Sequence, residues 1–300
     1  MALRFGLTAL DFQSVAQQVI SDGIPDFSRV NVVDIIRDVA AAGFSLMELS
    51  LDAKYILDSI FTPDSVSRLE DLKEELGLSY TVHLPLWSIE LATFNGPVRE
   101  GSVKSIVECI RVVEKLDPEA YVLHATGSLA AEFSVLPYSK NTVRLIGMLL
   151  SGFSRDSVEE VISETEIDPR KLAIENCLFP FDITRDVIDD LDTSICFDTA
   201  HLITHMSGTE SVMEFYNTHK DRITEIHLQD GTYSEHDGAI ARHDHIPLGR
   251  GIMGDSVLRE FLSALMKDTF RGPVIFELSK EEARESLNHI KKVVPTVLSS

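Results

Sequence analysis

A single (β/α)8 TIM barrel spanning residues 1–300 is the fold this sequence predicts, on three observations. Apolar strand-like runs alternate eight times with segments of helical period, as in a parallel sheet joined by crossover helices. No low-complexity linker or change of composition divides the chain. From the third predicted strand to the eighth, an ionisable residue stands at each strand's end, and barrels of this class build their sites from C-terminal strand ends.

Strand one lies near Leu3–Leu7, and its helix sets Val33, Ile36 and Val39/Ala40 on one face before Gly43 ends it. Strand two, Leu46–Leu51, carries Glu48, which reads equally as a supporting or a salt-bridge residue. Thr62-Pro63 supplies an N-cap and first-turn proline for a helix with Leu69, Leu72 and Leu76 inward and Gly77 at its end. Strand three, Leu78–Leu84, delivers His83, and the helix over Val98–Leu116 buries Val103, Ile106, Val107, Ile110 and Val113. Strand four, Tyr121–Ala125, delivers His124. A helical stretch from Asn141 to Glu166, broken near Ser154, ends at Asp168-Pro169.

Strand five, Lys171–Asn176, delivers Glu175. Strand six is Ile195-Cys-Phe-Asp-Thr-Ala-His, a doubly covered strand running into a turn that carries Asp198 and His201. A helix at Thr209–His219 leads to strand seven, Ile223–Leu228, with His227 near its end. A long loop, Gln229–Met253, precedes a helix from Asp255. Strand eight, Pro273–Leu278, delivers Glu277, and a last helix closes the chain.

The composition excludes some partners. With 27 basic and 48 acidic residues the formal charge is −21, which disfavours nucleic acid and anionic membranes. No apolar run is long enough to predict a transmembrane helix, and Met1-Ala-Leu-Arg-Phe-Gly leads straight into a strand without a signal peptide. Cys109, Cys177 and Cys196 show no paired spacing, which fits a reducing cytoplasm. The expectation is a soluble cytoplasmic protein with a small-molecule substrate.

The chemistry gathers on His83, His124, Glu175, Asp198, His201, His227, His243, His245 and Glu277. Carboxylate with neutral imidazole is a usual ligand mix for zinc, manganese or iron. Asp198-x-x-His201 taken alone also reads as a helix cap beside a histidine. Glu175 and Glu277 follow apolar runs, where a buried carboxylate needs a partner, and metal ions satisfy both. Gly249-Arg250-Gly251-Ile252-Met253-Gly254 matches G-x-G-x-x-G but follows no strand directly, so it predicts a tight turn into a helix able to receive a phosphate rather than a dinucleotide site. Trp87 is a packing residue or a stacking surface for a planar ligand. His205, His219, His236 and His289 read as surface groups.

These motifs resemble those of the xylose-isomerase-like barrels, which include sugar isomerases, epimerases and the endonuclease IV group. The resemblance covers nearly the whole chain. For the isomerases it implies one or two metals held by Glu175, Asp198, His227 and Glu277. The endonuclease IV group adds histidines that build a three-metal phosphodiesterase centre, and His83, His124, His201 and His245 match those positions. Where that group has Asp two residues before its last histidine, this chain has His243, with Asp244 adjacent, so either completes the third site. On this reading Glu175 bridges the first metal (with His83 and His124) and the second (with Asp198, His227 and Glu277), and His201, His243 and His245 hold the third.

The wording Tyr80-Thr-Val-His-Leu-Pro-Leu-Trp-Ser, Tyr121-Val-Leu-His-Ala-Thr-Gly and His243-Asp-His-Ile-Pro-Leu-Gly-Arg-Gly looks most like the cobamide-remodelling phosphodiesterases of this superfamily. The resemblance implies a metal-dependent hydrolase with up to three divalent ions, zinc first among them. It would cleave the nucleotide-loop phosphodiester of a cobamide, with Glu175 and Glu277 catalytic and Trp87, Phe179 and Arg250 near the substrate. The alternative is a sugar or sugar-phosphate isomerase or epimerase. No lysine stands at a predicted strand tip as its base, although Glu175 or Glu277 could serve. The third reading is an endonuclease acting on abasic DNA.

Overall fold

A computed structural model describes residues 2–10, 15, 19–21, 24–27, 30–57, 59–134, 139–236 and 239–298. Eight parallel strands close into a barrel: β1 (Arg4–Thr8), β2 (Leu46–Ser50), β3 (Ser79–His83), β4 (Tyr121–Leu123), β5 (Leu172–Glu175), β6 (Ser194–Asp198), β7 (Ile223–His227) and β8 (Pro273–Phe276). Each strand pairs with its sequence neighbours, and β8 returns to β1 through Arg4↔Pro273 to Leu7↔Phe276. The outer layer is α1 (Val32–Ala41), α2 (Pro63–Leu76), α3 (Gly96–Val113), α4 (Lys140–Thr165), α5 (Phe181–Leu191), α6 (Val212–His219), α7 (Gly254–Lys267) and α8 (Lys280–Val293).

Local sequence explains the helix ends. Thr62 accepts a hydrogen bond from the Ser65 N–H, Pro63 occupies the first turn of α2, and Gly77 closes it at φ 64°. Ser211–Glu214 and Ser279–Glu282 form reciprocal capping boxes on α6 and α8. Every helix then presses an apolar stripe on the sheet: Ile36, Leu69, Ile106, Val161, Val187, Phe215, Leu262 and Ile290 are all at most 1% exposed. Inside the barrel, small apolar groups (Ala120, Val122, Ala173, Cys196) fill one part. Elsewhere the interior is polar, with Glu48, Thr81 and Glu225 fully buried.

Several expectations change. The stretch read as one loop, Gln229–Met253, contains an antiparallel hairpin of Asp230–His236 and Ala239–Ile246. No break interrupts α4 at Ser154. That hydroxyl donates to the Ala125 carbonyl at 2.6 Å, and Ser157 donates to the Leu91 carbonyl at 2.7 Å, so these serines fasten a continuous helix to the barrel mouth. The β5–β6 crossover, for which the sequence reading names no helix, is α5. Short helices at Asp52–Ile56, Ser128–Ser134 and Thr199–Ile203 ride on the strand ends. None of the described helices is long and apolar enough to cross a membrane.

Candidate metal centre

Strands β3 to β8 each deliver one ionisable group to the same end of the barrel. His83, Glu175, Asp198 and His227 are the last residues of their strands, while His124 and Glu277 stand one position beyond theirs. Their donor atoms converge. His124 Nε2 lies 2.5 Å and His83 Nε2 3.6 Å from Glu175 Oε2. His227 Nδ1 is 3.2 Å from Glu175, 3.1 Å from Glu277 and 4.0 Å from Asp198. His201 Nδ1 is 3.5 Å from Glu175 Oε1. Five groups with donor atoms mutually within 4.8 Å are found among the described residues; Glu175–Cys196–His227 and Glu48–Glu225–His227 reach into the barrel, and the other three gather at the strand ends: His83–His124–Glu175, Glu175–Asp198–His227–Glu277, and Asp198–His201–His245.

At the third group the hairpin separates the two residues left open, His243 and Asp244. Between the pairs Asp230↔Ile246 and Thr232↔His243, Gly231 stands opposite both Asp244 and His245, a β-bulge. His245 takes φ 53°, a conformation histidine adopts more readily than most side chains. The extra residue ends the alternation that would have put His243 and His245 on one face. Asp244 and His245 both line the cavity over the strand ends, whereas His243 is exposed and does not. Asp244 Oδ2 reaches to 3.7 Å from His201 Nε2, and Asp244 Oδ1 to 3.1 Å from His245 Nδ1. Of the two open choices, the structure brings Asp244 to the site.

Supporting contacts that sequence reasoning missed hold these groups in place. Gln229, fully buried, donates from one amide nitrogen to Asp198 (2.6 Å) and Glu277 (3.0 Å), and its oxygen accepts the Glu277 N–H. Asn176 accepts the Asp198 N–H and donates to the Asp198 carbonyl. Asp198 also accepts the His201 N–H, so it is both a helix cap and a member of the cluster. His83 Nδ1 sits 2.9 Å from the Leu84 carbonyl, which leaves Nε2 for the site. Glu48, open between two roles, contacts His227 Nε2 at 3.2 Å from inside the barrel and accepts from Thr8 Oγ1. Only side chains two residues before a strand tip or just after it could have signalled these partners.

Electrostatics follow from burial and crowding. Burial alone would raise the Glu175 carboxyl, but the charges of His124, His227 and His201 hold it well below the usual carboxylate range. Glu277 is likewise lowered against its burial, by His227 and His245. Asp198 is raised by burial together with the Glu175 and Glu277 charges, against the pull of His201. His124 and His227 go the other way: despite burial, their acidic and thiol neighbours raise them well above the ordinary imidazole value.

Two residues expected near the substrate part company. Trp87 lines the cavity at the mouth and is half exposed. Arg250 does not reach it. Its guanidinium grips Glu285 at 2.6 and 2.8 Å, in a separate cleft beside α8. Nor does the glycine motif offer amides to a phosphate. The N–H groups of Gly249, Gly251 and Met253 already donate to the buried Asp230 carboxylate, at 2.9–3.2 Å. Phe179 is buried in a side cluster with Ala92, Ala130 and Leu150 and does not line the cavity. His219 packs on Phe181 and Phe215 and His289 binds Asp255, while the His236 side chain lies outside the described residues.

The donor set fits divalent metal. Tetrahedral ligands at ~2.1 Å from an ion stand about 3.4 Å apart, close to most of the contacts here. His201 Nδ1 is buried without a hydrogen bond, 3.5 Å from Glu175 Oε1. Comparison with known proteins agrees on the fold. Among curated proteins none matches the chain. Among solved structures, a D-tagatose 3-epimerase-like protein is similar at 20% identity and TM-score 0.66, covering 98% of each chain. Endonuclease IV from Thermus thermophilus is similar at 16% identity and TM-score 0.64, covering 98% of this chain and 99% of that one. A further Thermus thermophilus protein, TTHB071, soaked with ZnCl2, is similar at 18% and 0.62, covering 98% of each. The sequence profile of the xylose isomerase-like TIM barrels matches residues 36–293, and with the closed barrel it establishes that this chain belongs to that family.

Proposed function

We propose that this protein is a metal-dependent phosphodiesterase of the cytoplasm, acting on a small molecule, and that its substrate is a cobamide cleaved at the nucleotide-loop phosphodiester. The observation that carries the reading is the sharing of ligands. Glu175 belongs to the first and second donor groups and Asp198 to the second and third, so the three sites adjoin. His83, His124 and Glu175 would hold the first ion, and Glu175, Asp198, His227 and Glu277 the second. His201 and His245, with Asp244 beside them, would hold the third. Zinc suits this histidine-rich set, and manganese or iron would also be accepted. Bound together, such ions activate water and neutralise charge on a phosphoester and its leaving oxygen.

The chain's own residues supply the rest. Glu175 is fully buried and serves as the shared carboxylate. Glu277 lines the cavity, and its Oε1 has His83 no nearer than 4.0 Å, which leaves that oxygen to take a proton from an attacking water. The cysteines Cys109, Cys177 and Cys196 are free and buried, as suits a reducing compartment.

One observation favours a second reading. Glu175, Asp198, His227 and Glu277 form a self-contained four-donor group, enough for the single-metal chemistry of a sugar isomerase or epimerase, and an epimerase-like protein is among the structural relatives. An abasic-site endonuclease ranks third, because the charge of −21 opposes a polyanion. Metal analysis of protein purified without chelator separates the first two: about three ions per chain supports the phosphodiesterase, and one supports the isomerase. Incubation with a cobamide, with abasic duplex DNA and with a ketose then assigns the reaction. DNA cleavage as fast as cobamide cleavage, or ketose–aldose conversion alone, would remove the proposal.

A further inference from the structure

The cavity above the strand ends has two chemistries. Its floor is the cluster of His124, His201, Asp244, His245 and Glu277. Its wall comes from the β1 and β2 units and the turn after β3: Leu10, Ile56, Leu57, Ile60, Leu86 and Trp87. The cavity volume is about 870 Å³, toward the upper end of the roughly 300–1,000 Å³ range of small-molecule sites. Among the described residues lining it, none is Lys or Arg; beyond the floor group the remaining charged side chain is Asp52. Asp52 is spent on structure, accepting the Leu86 N–H at 3.1 Å and the Trp87 N–H at 3.0 Å, so it fixes the turn that presents the indole.

We infer that this wall is a binding site for the non-reacting body of the substrate, a bulky, apolar-faced group that is neutral or cationic. The inference rests on the phosphodiesterase reading only for what sits on the floor. A sugar carries hydroxyls around its whole ring, and laying them on aliphatic side chains strips water without returning hydrogen bonds. Among the described residues, this wall offers a polyanion no Lys or Arg to meet its charge. A large apolar face gains from the same wall by leaving water, and a planar one gains further against the indole. Acidic surroundings also favour a cationic over an anionic body.

Trp87 is the one tryptophan of the chain and lines this wall, so binding can be read without turnover. Metal-replete full-length protein is titrated with cobinamide, which has the corrin ring and no phosphodiester, while tryptophan emission is recorded. Saturable quenching is expected, with an affinity at least about tenfold tighter than for D-allulose or inorganic phosphate. Ile56→Lys, at a position 48% exposed, should weaken it about tenfold or more with circular dichroism and metal content unchanged. Should that variant lose its fold, Trp87→Ala read by the corrinoid's visible absorbance replaces it, with the same loss expected. No quenching up to about 1 mM, equal affinity for D-allulose, or undiminished binding by the folded variant overturns the inference. Cobinamide binding without cobamide cleavage would leave this inference standing and remove the hydrolase reading. Cleavage without cobinamide binding would do the reverse.

Discussion

The two sides of the barrel mouth occupy equivalent positions and carry opposite chemistry. From β3 to β8, every strand ends in a carboxylate or an imidazole aimed at a shared centre. From β1 and β2 the same rim receives Leu10, Ile56, Leu57 and Ile60. One polar group on β2, Glu48, faces the barrel interior and touches the cluster from below through His227. The difference teaches that strand ends of a closed barrel are independent addresses. One arc can gather metal-binding donors at short distances while the facing arc shapes a cavity, because the closed sheet fixes both.

The comparison breaks most completely at Glu175. Glu175→Gln should abolish turnover and reduce the metal content of purified protein, since the amide carries no charge and serves two donor groups poorly. The loss should exceed the roughly 10–100-fold that removal of a supporting residue costs. The fold should persist, because the apolar stripes of α1 to α8 are untouched. Metal analysis and thermal melts check this; full metal content with full activity would dissolve the shared-ligand arrangement.

Glu48 tests whether the β2 side contributes to the metal arc from inside. Its carboxylate can accept a hydrogen bond from the His227 Nε2–H and leave Nδ1 for the metal. With Thr8 donating to one oxygen, Glu48→Gln would turn an amide N–H toward Nε2 and favour the wrong tautomer. Metal affinity, measured by chelator competition, should fall about 10–100-fold with little change in melting temperature. An unchanged affinity would make Glu48 a packing residue only.

The pH dependence sharpens the polar side further. Despite burial, neighbouring carboxylates raise His83 and, with Cys177 and Cys196 as the leading thiol contributions, His124 and His227 as well. Glu175 and Glu277 are lowered. Imidazoles bind metal only when deprotonated, so a raised pKa means that metal must displace protons. Affinity should therefore rise with pH through and above the ordinary imidazole range, with proton release on binding. Titration calorimetry in buffers of different ionisation enthalpy measures it, and pH-independent affinity would contradict the assignment of these histidines as ligands.

How much of this was legible follows the same division. His83, His124, Glu175, Asp198, His227 and Glu277 each close a short apolar run, and a strand end is a position that periodicity marks without knowledge of the fold. The barrel followed from the same alternation. Apart from Trp87, the wall was not legible, because its residues sit in crossover segments whose apolar pattern matches that of any packed helix. Arg250 misled because a glycine motif advertises free amides, and here Asp230 from the neighbouring hairpin consumes them. Ser154 misled because a hydroxyl within a helix reads as a break until its acceptor, the Ala125 carbonyl, is known.

The smallest effect is expected at His243, and it depends on one inserted residue. In a regular hairpin His243 and His245 would share a face and Asp244 would point away. The bulge opposite Gly231 turns Asp244 inward with His245 instead. Gly231 permits the close approach: a Cβ there would lie 2.7 Å from Thr204 Cγ2 and 3.1 Å from the His243 carbonyl oxygen. His243→Ala should thus change metal stoichiometry not at all and turnover less than about twofold, as for an exposed residue remote from the centre. Asp244→Asn, one residue on, should lose the third ion while the first two stay bound, because their donors lie on other strands. Metal counting on the two variants decides between them. Loss of an ion from His243→Ala with full retention in Asp244→Asn would mean that the hairpin pairs without the bulge in solution and that the third site is built from two histidines on one strand face.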